Sequence, residues 1–374
     1  MIIDVSNSSF KNIFSDKGFY LPIRWEGSNF LSTVNLLFDN YIYTLSKNLD
    51  FNSESGLVLN TVKSCCGYIS RAIGYYLDGF PSRAYEVIEK LMDILVQHPL
   101  DIYPDEMKDQ FSEDGTDNKL NLFRVSYVDD NKPYKRMRIF HPPYNLRAQV
   151  STSRYSIAGY PSLYLATSLD LCCEEIHLNP YQKLAIASLF RIEKCEEYSN
   201  TEVDVIDLAV KPQDFFEEGE NVYLTEGHLN RRRIPHRLLN SDDVRARYLL
   251  WYPLIAACSF IRTNKSNPFA AEYIIPQFLM QWVRSEIGEV NNRSMDKLIG
   301  IRYFSCASIR ASEMGFTYVF PTSGKEDSPE YPFCKVLMKA FKLTKPVFLH
   351  EFESRISCER FLMRQKDLKS IVED

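Results

Sequence analysis

Arg124 interrupts a run of β-branched and aromatic residues that extends from Leu120 to Val128. A guanidinium inside a strand must reach water or pair with an anion. Further along come His141-Pro142-Pro143, Arg147, the tetrad Ser153-Arg154-Tyr155-Ser156, and then Gly159. Tyr164 sits in the apolar run Leu163 to Ala166, and Glu175 follows eleven residues later beside Glu174. Far downstream, Gly300-Ile301-Arg302-Tyr303-Phe304 leads to Ser305, with Ser308 just beyond. Arginine forks suit phosphate groups, because one guanidinium binds two oxygens in a fixed plane. A carboxylate held near them suits a reaction that builds positive charge on a sugar.

Each of these residues also has a plain structural role open to it. Two glutamates on a helix commonly form a solvated face, and a tyrosine in an apolar strand is commonly core. Arg124 could be a strand-edge ion pair, Arg154 the partner of an acid, and His141 a turn residue or a pocket wall. The order of the set carries the functional reading, not any member of it.

The elements that must position them are legible from periodicity. Asn29 to Leu49, Gly56 to Leu77 and a segment opening at Pro81 repeat apolar residues at helical spacing, and Pro99 stops the third. Three helices with short connections predict a bundle. Asp101 to Lys119 is polar and acidic, as a linker should be, and a domain boundary is placed near residue 117. Strands are then predicted at Leu120–Val128, Leu163–Ala166, Leu184–Ile192, Val203–Val210, Ile301–Phe304 and Thr317–Phe320. Ser168 is a credible cap for a helix running to Leu178, and Arg245–Ile261 and Glu272–Ile287 are apolar enough to be packed helices. Strands and helices interleave without βαβ periodicity, which favours an α+β class. The domains expected are 1–116, helical, and 117–374, mixed.

Bulk properties narrow the function. A net charge of -5 argues against nucleic acid as the main partner, since phosphate neutralisation needs a basic surface. The run Arg231-Arg232-Arg233 with Arg237 reads as a solvated loop or a local anion site. The nine cysteines show neither C-x-x-C nor zinc spacing, so reduced thiols in the cytoplasm are expected. No signal peptide is evident, and no apolar run approaches the 18 or so residues of a membrane span. The glycine-rich phosphate loops, H-E-x-x-H and G-x-S-x-G are absent. No arginine is followed at nuclease spacing by histidine within residues 1–116, which disfavours an RNase of the HEPN type. No residue is assigned to a metal, and no cofactor is expected.

The ordered set resembles the RES family, whose pattern is an early strand arginine, G-R-[FW]-[NS]-x-x-G, L-Y-[LF]-A, a helix carrying glutamate, and a late G-[IL]-x-Y-x-S. Arg124 matches the first arginine, and Arg154 to Gly159 match the second block, with Ser153 in place of the usual glycine. Tyr164 matches the tyrosine, Glu175 the acid by spacing with Glu174 as fallback, and Ser305 the serine with Ser308 a weaker match. The resemblance covers roughly residues 120–320, and the helical front looks like the extra domain of a fused subset of that family.

The resemblance implies an ADP-ribosyltransferase-like fold and breakdown of NAD+, with inorganic phosphate as the acceptor and ADP-ribose-1″-phosphate as product. It implies a catalytic set of Arg124, Arg154, Tyr164, Glu175 and Ser305. Arg124, Arg154, Tyr155, Tyr164 and His141 are the expected substrate contacts. It further implies a toxin or anti-phage defence effector, restrained in trans by an antitoxin-like partner that would dock on the helical domain, a surface that also suits self-association. Two alternatives stay open: transfer of ADP-ribose to a macromolecule, and a nucleotide-binding module without turnover. Residues 211–240 are assigned no role.

Overall fold

A computed structural model describes residues 5–27, 29–49, 53–100, 120–178, 184–192, 203–215, 242–264, 266–291, 298–322 and 332–373. The linker segment Asp101 to Lys119 and the arginine run at 231–237 lie outside the described residues. In chain order the helices are α1 (Asn7–Phe14), α2 (Phe30–Asn48), α3 (Ser53–Leu77), α4 (Pro81–Leu95), α5 (Leu169–Glu175), α6 (Asp242–Ala257), α7 (Ile274–Asn291), α8 (Lys335–Ala340) and α9 (Arg355–Arg364). The strands are β1 (Asn121–Val128), β2 (Ser162–Ala166), β3 (Leu184–Ile192), β4 (Val203–Leu208), β5 (Leu298–Phe304), β6 (Phe316–Pro321), β7 (Phe341–Leu343) and β8 (Val347–Phe348). The class is α+β.

The described residues fall into two compact units. One gathers those within Met1–Asp101, Leu208–Val222 and Arg233–Trp282, the other those within Ile102–Asp207 and Val283–Asp374. The single division near residue 117 therefore differs from the observed one, in which α6 and the first half of α7 join the N-terminal helices. The reason is the composition of α6. From Tyr248 to Ala257 each side chain is buried, so the helix needs partners on all sides.

In the helical unit, side-chain oxygens of Ser6 and Asn29 cap α1 and α2 by accepting from the N–H groups of Ser9 and Ser32. Pro81 opens α4 in the first turn, where its missing N–H costs nothing. The core is an aromatic cluster of Phe10, Phe14, Phe19, Tyr41, Tyr248 and Tyr252, in mostly edge-on contacts such as the 5.1 Å pair Phe14–Tyr252. The buried phenols are satisfied by backbone: Tyr41 donates to Leu249 O and Tyr252 to Phe19 O, each at 3.0 Å.

The second unit is built on one eight-stranded sheet, in the order β4-β5-β6-β2-β1-β3-β7 with β8 also pairing β3. Residues Asn121 to Val128 pair antiparallel along β3 from Arg191 to Leu184, and Ser162 to Ala166 pair along β6 from Pro321 to Thr317. Between these two ladders, β1 meets β2 at Phe123↔Ala166 alone. The seam at the middle of the sheet is thus nearly unladdered. Helix α5 covers one face, burying Leu169, Leu171, Cys172 and Cys173 against Phe123, Val125, Ala166, Ala185, Ala187 and Leu189. These residues alternate along their strands, so the period of two places them on one face. Gly300 is required by a close approach, since a Cβ there would lie 2.5 Å from the Phe320 ring.

Candidate active site

The site is assembled at the β1–β2 seam. Arg124, on β1 opposite Ser188 of β3, reaches across and donates from Nη1 to the carbonyl of Tyr164 on β2 at 2.8 Å. Burial pulls its guanidinium down to about 10, which leaves it charged at neutral pH. Its Nε and the Ser188 hydroxyl are both buried without a hydrogen-bond partner among the described residues. An uncompensated guanidinium N–H beside an uncompensated hydroxyl is costly unless water or a ligand completes it.

Tyr164 turns its hydroxyl to the loop ahead of β2, where Ser153 Oγ and Ser156 Oγ each stand 2.6 Å away. The two serines also exchange backbone bonds, Ser153 N to Ser156 O at 3.4 Å and Ser156 N to Ser153 O at 3.3 Å. That closed turn carries Arg154 and Tyr155 at its tip, both buried. Ser153 is where the resembled pattern has glycine, and here its side chain helps hold the phenol. Burial, opposed by the two serine bonds and reinforced by the Glu175 charge, lifts Tyr164 to about 12. It is a neutral phenol at neutral pH.

The tip of the turn meets β5. The rings of Tyr155 and Tyr303 lie 4.6 Å apart, centre to centre. Tyr303 is held well above the ordinary phenol value, chiefly by burial and then by the Glu175 charge and Tyr164, with Arg154 acting the other way. Glu175 and Arg154, of opposite sign, thus act in opposite directions on one buried tyrosine. Tyr303 falls within the Gly300–Ser305 segment, but its sequence context assigned it no role. Its signal was its place as the tyrosine of the resembled G-[IL]-x-Y-x-S pattern, and the alternation along β5 puts it in a row with Thr317 and Ala166 on the face that α5 covers.

Glu174 and Glu175 part company at the end of α5, because successive helical residues project about 100° apart. Glu174 accepts from Ser308 Oγ at 3.3 Å, whereas Glu175 acts electrostatically on Tyr164, Tyr303 and Cys172. The fallback acid and the weaker serine are thus paired with each other. Ser305 is fully buried at the end of β5, and its Oγ accepts from Ala307 N at 3.1 Å. The structure brings Arg154, Tyr155, Tyr164, Glu175 and Tyr303 together, with Arg124 joined to Tyr164 through its carbonyl.

His141 stands apart in function. It is fully buried, its Nδ1 is 2.8 Å from Pro142 O, and its Nε2 accepts from Cys334 N at 2.9 Å. Nδ1 therefore carries the proton, and both ring nitrogens are occupied by backbone. Burial, opposed by the Pro142 bond and aided by Arg124, holds it down to about 4. This neutral ring braces the segment that follows β1 and offers no nitrogen to a substrate.

The eight described cysteines are all buried and free of disulfides. No helix among the described residues is long and apolar enough to cross a membrane.

Comparison with known proteins gives one informative relative. The chain is 25% identical over 350 residues to the Bacillus subtilis (strain 168) protein named "Putative toxin YopC", covering 89% of this chain and 69% of that protein. No known protein family matches the chain. No solved structure matches it.

Proposed function

We propose that this chain cleaves the nicotinamide–ribose bond of NAD+ on an ADP-ribosyltransferase-like fold of the RES type, with inorganic phosphate as acceptor. The observation that carries the reading is the Tyr164 hydroxyl held 2.6 Å from both Ser153 Oγ and Ser156 Oγ, on a turn whose Tyr155 ring packs 4.6 Å from Tyr303. As the bond from the ribose C1 to the ring nitrogen breaks, its electron pair leaves with nicotinamide, which departs neutral. Positive charge then develops on the ribose. Glu175 stabilises that charge and accepts from the ribose hydroxyls, a role that needs an ionised carboxylate in a site of low dielectric. A phosphate oxygen bonds to the same carbon, giving ADP-ribose-1″-phosphate.

Arg124 and Arg154 hold the pyrophosphate, and the Tyr155 and Tyr303 rings exclude water from the reacting sugar. Burial keeps Tyr164 and Tyr303 neutral, so neither competes with Glu175 for the positive charge. Ser305 orients Glu175 or a ribose hydroxyl.

Likeness to a relative named as a toxin supports a toxin or defence role, because loss of NAD+ arrests growth. A restraining partner acting in trans, docked on the helical unit, fits that role in the cytoplasm. Purified protein incubated with NAD+, with and without phosphate, tests the reaction by mass spectrometry. Phosphate-dependent ADP-ribose-1″-phosphate is the expected product. Label on a macromolecule would favour ADP-ribosyl transfer, and NAD+ bound but intact would leave a nucleotide-binding module.

A further inference from the structure

Helix α5 carries Glu175 as its last residue and is only seven residues long. A helix that short is marginal on its own, since isolated helices in water need about 12–15 residues. Its placement therefore comes from what grips its ends. At the N-terminal end, Glu359 on α9 accepts from Leu169 N at 2.6 Å, and Arg355 Nη1 donates to Asp170 Oδ1 at 2.8 Å.

The C-terminal end is closed by a Schellman turn, in which Leu178 N donates to Cys173 O at 2.8 Å and His177 N to Glu174 O at 3.1 Å. Such a turn needs a left-handed residue, a place that glycine usually takes. Here it is His177, at φ 50°, the one non-glycine residue with positive φ among the described residues. A side chain in that conformation persists where its surroundings hold it. The holding group comes from β1. Tyr127 lies on the α5 face of the sheet, in alternation with Phe123 and Val125. Its hydroxyl donates to Ile176 O at 3.2 Å and to His177 O at 3.0 Å, the two carbonyls that follow Glu175.

We propose that Tyr127 is a positioning residue for Glu175, latching the turn after α5 to the sheet and so fixing where the carboxylate stands. The inference rests on the reading of Glu175 as the group that stabilises charge on the ribose. Tyr127 acts through the main chain and not on the substrate.

Tyr127→Phe in the full chain removes the latch and keeps the ring. Hydrogen exchange at Ile176, His177 and Leu178 should speed up about tenfold, as the loss of one hydrogen bond predicts. Nicotinamide release should lose about tenfold or more in kcat, with KM for NAD+ within about twofold of wild type. The matched control is Tyr41→Phe, which removes a phenol bond to Leu249 O in the other unit. It should lower the melting temperature comparably and leave kcat unchanged, which a merely structural role for Tyr127 would also do. Adding His177→Gly to Tyr127→Phe lets the exposed turn form without strain and should restore part of both the protection and kcat. Should Tyr127→Phe alone fail to fold, that double variant measured against His177→Gly carries the same comparison. Unchanged exchange at the three amides, or wild-type kcat in a Tyr127→Phe protein no more stable than Tyr41→Phe, overturns the proposal. A wild type that releases no nicotinamide would overturn the NAD+ reading and the catalytic meaning of the latch, while the exchange rates would still decide whether the latch exists.

Discussion

The guanidinium of Arg124 donates to the main-chain carbonyl of Tyr164 across 2.8 Å, at a seam where β1 and β2 share the single register pair Phe123↔Ala166. The side chain stands in for ladder bonds that the strands no longer make. One residue thereby closes the sheet and buries a positive charge at the seam.

Replacing Arg124 separates those two duties. Arg124→Ala leaves the Tyr164 carbonyl short of a donor in a part-buried seam and should cost about 1–3 kcal/mol of stability. Arg124→Lys restores a charge but not a fork, so it should recover part of the stability and little of the affinity for a pyrophosphate. Urea denaturation and NAD+ titration of both variants measure the two losses side by side.

The serine clamp predicts a graded series. Ser153→Gly, which restores the residue typical of the resembled pattern, removes one of the two bonds to the Tyr164 hydroxyl and should cost about 1 kcal/mol. Tyr164→Phe removes both bonds between the phenol and the serines and should cost more. Thermal melts rank them, and a Ser153→Gly protein no less stable than wild type would show the clamp to be idle.

His141 predicts a pH dependence of stability. Its folded value, near 4, lies below the ordinary 6.5, so the unfolded chain binds the extra proton first as the pH falls. The contribution is complete above about pH 6.5 and is lost progressively as the pH drops through 4. At its fullest it amounts to roughly 3 kcal/mol, since each tenfold change in proton affinity is worth about 1.4 kcal/mol. Denaturation midpoints between pH 7 and 4 should fall more steeply for the wild type than for His141→Gln, which can keep a donor and an acceptor without titrating.

Much of the scaffold was legible because periodicity is local. Leu184–Ile192 emerged as a strand with its observed limits, and Ser168 was recognised as the cap of α5, where its hydroxyl accepts from Leu171 N. What escaped depends on contacts far apart in sequence. Strands β7 and β8, of three and two residues, are too short to show a period, and α1 is one polar-looking segment of eight. The recruitment of α6 into the helical unit needs three-dimensional packing to be seen. In the site, the motif order of the resembled family pointed to Arg124, Arg154 and Glu175, and the structure distinguishes Glu174, bonded to Ser308, from Glu175, which acts electrostatically on Tyr303. Tyr303 is the tyrosine of the G-[IL]-x-Y-x-S segment, of which only Ser305 was given a role. His141 looked like a pocket residue because histidine near Pro142-Pro143 is ambiguous until Cys334, remote in sequence, is found donating to its Nε2.

The central claim is that the Glu175 carboxylate stabilises charge on the ribose of NAD+. Nicotinamide release by Glu175→Gln, measured beside Glu174→Gln in the same saturating NAD+ and phosphate, tests it most directly. Loss of the electrostatic partner should lower turnover by about a hundredfold to a thousandfold in Glu175→Gln. Glu174→Gln, which alters a bond to Ser308 and a charge acting on Arg355, should stay within a few fold of wild type. Undiminished nicotinamide release by Glu175→Gln, or a loss confined to Glu174→Gln, would contradict the account.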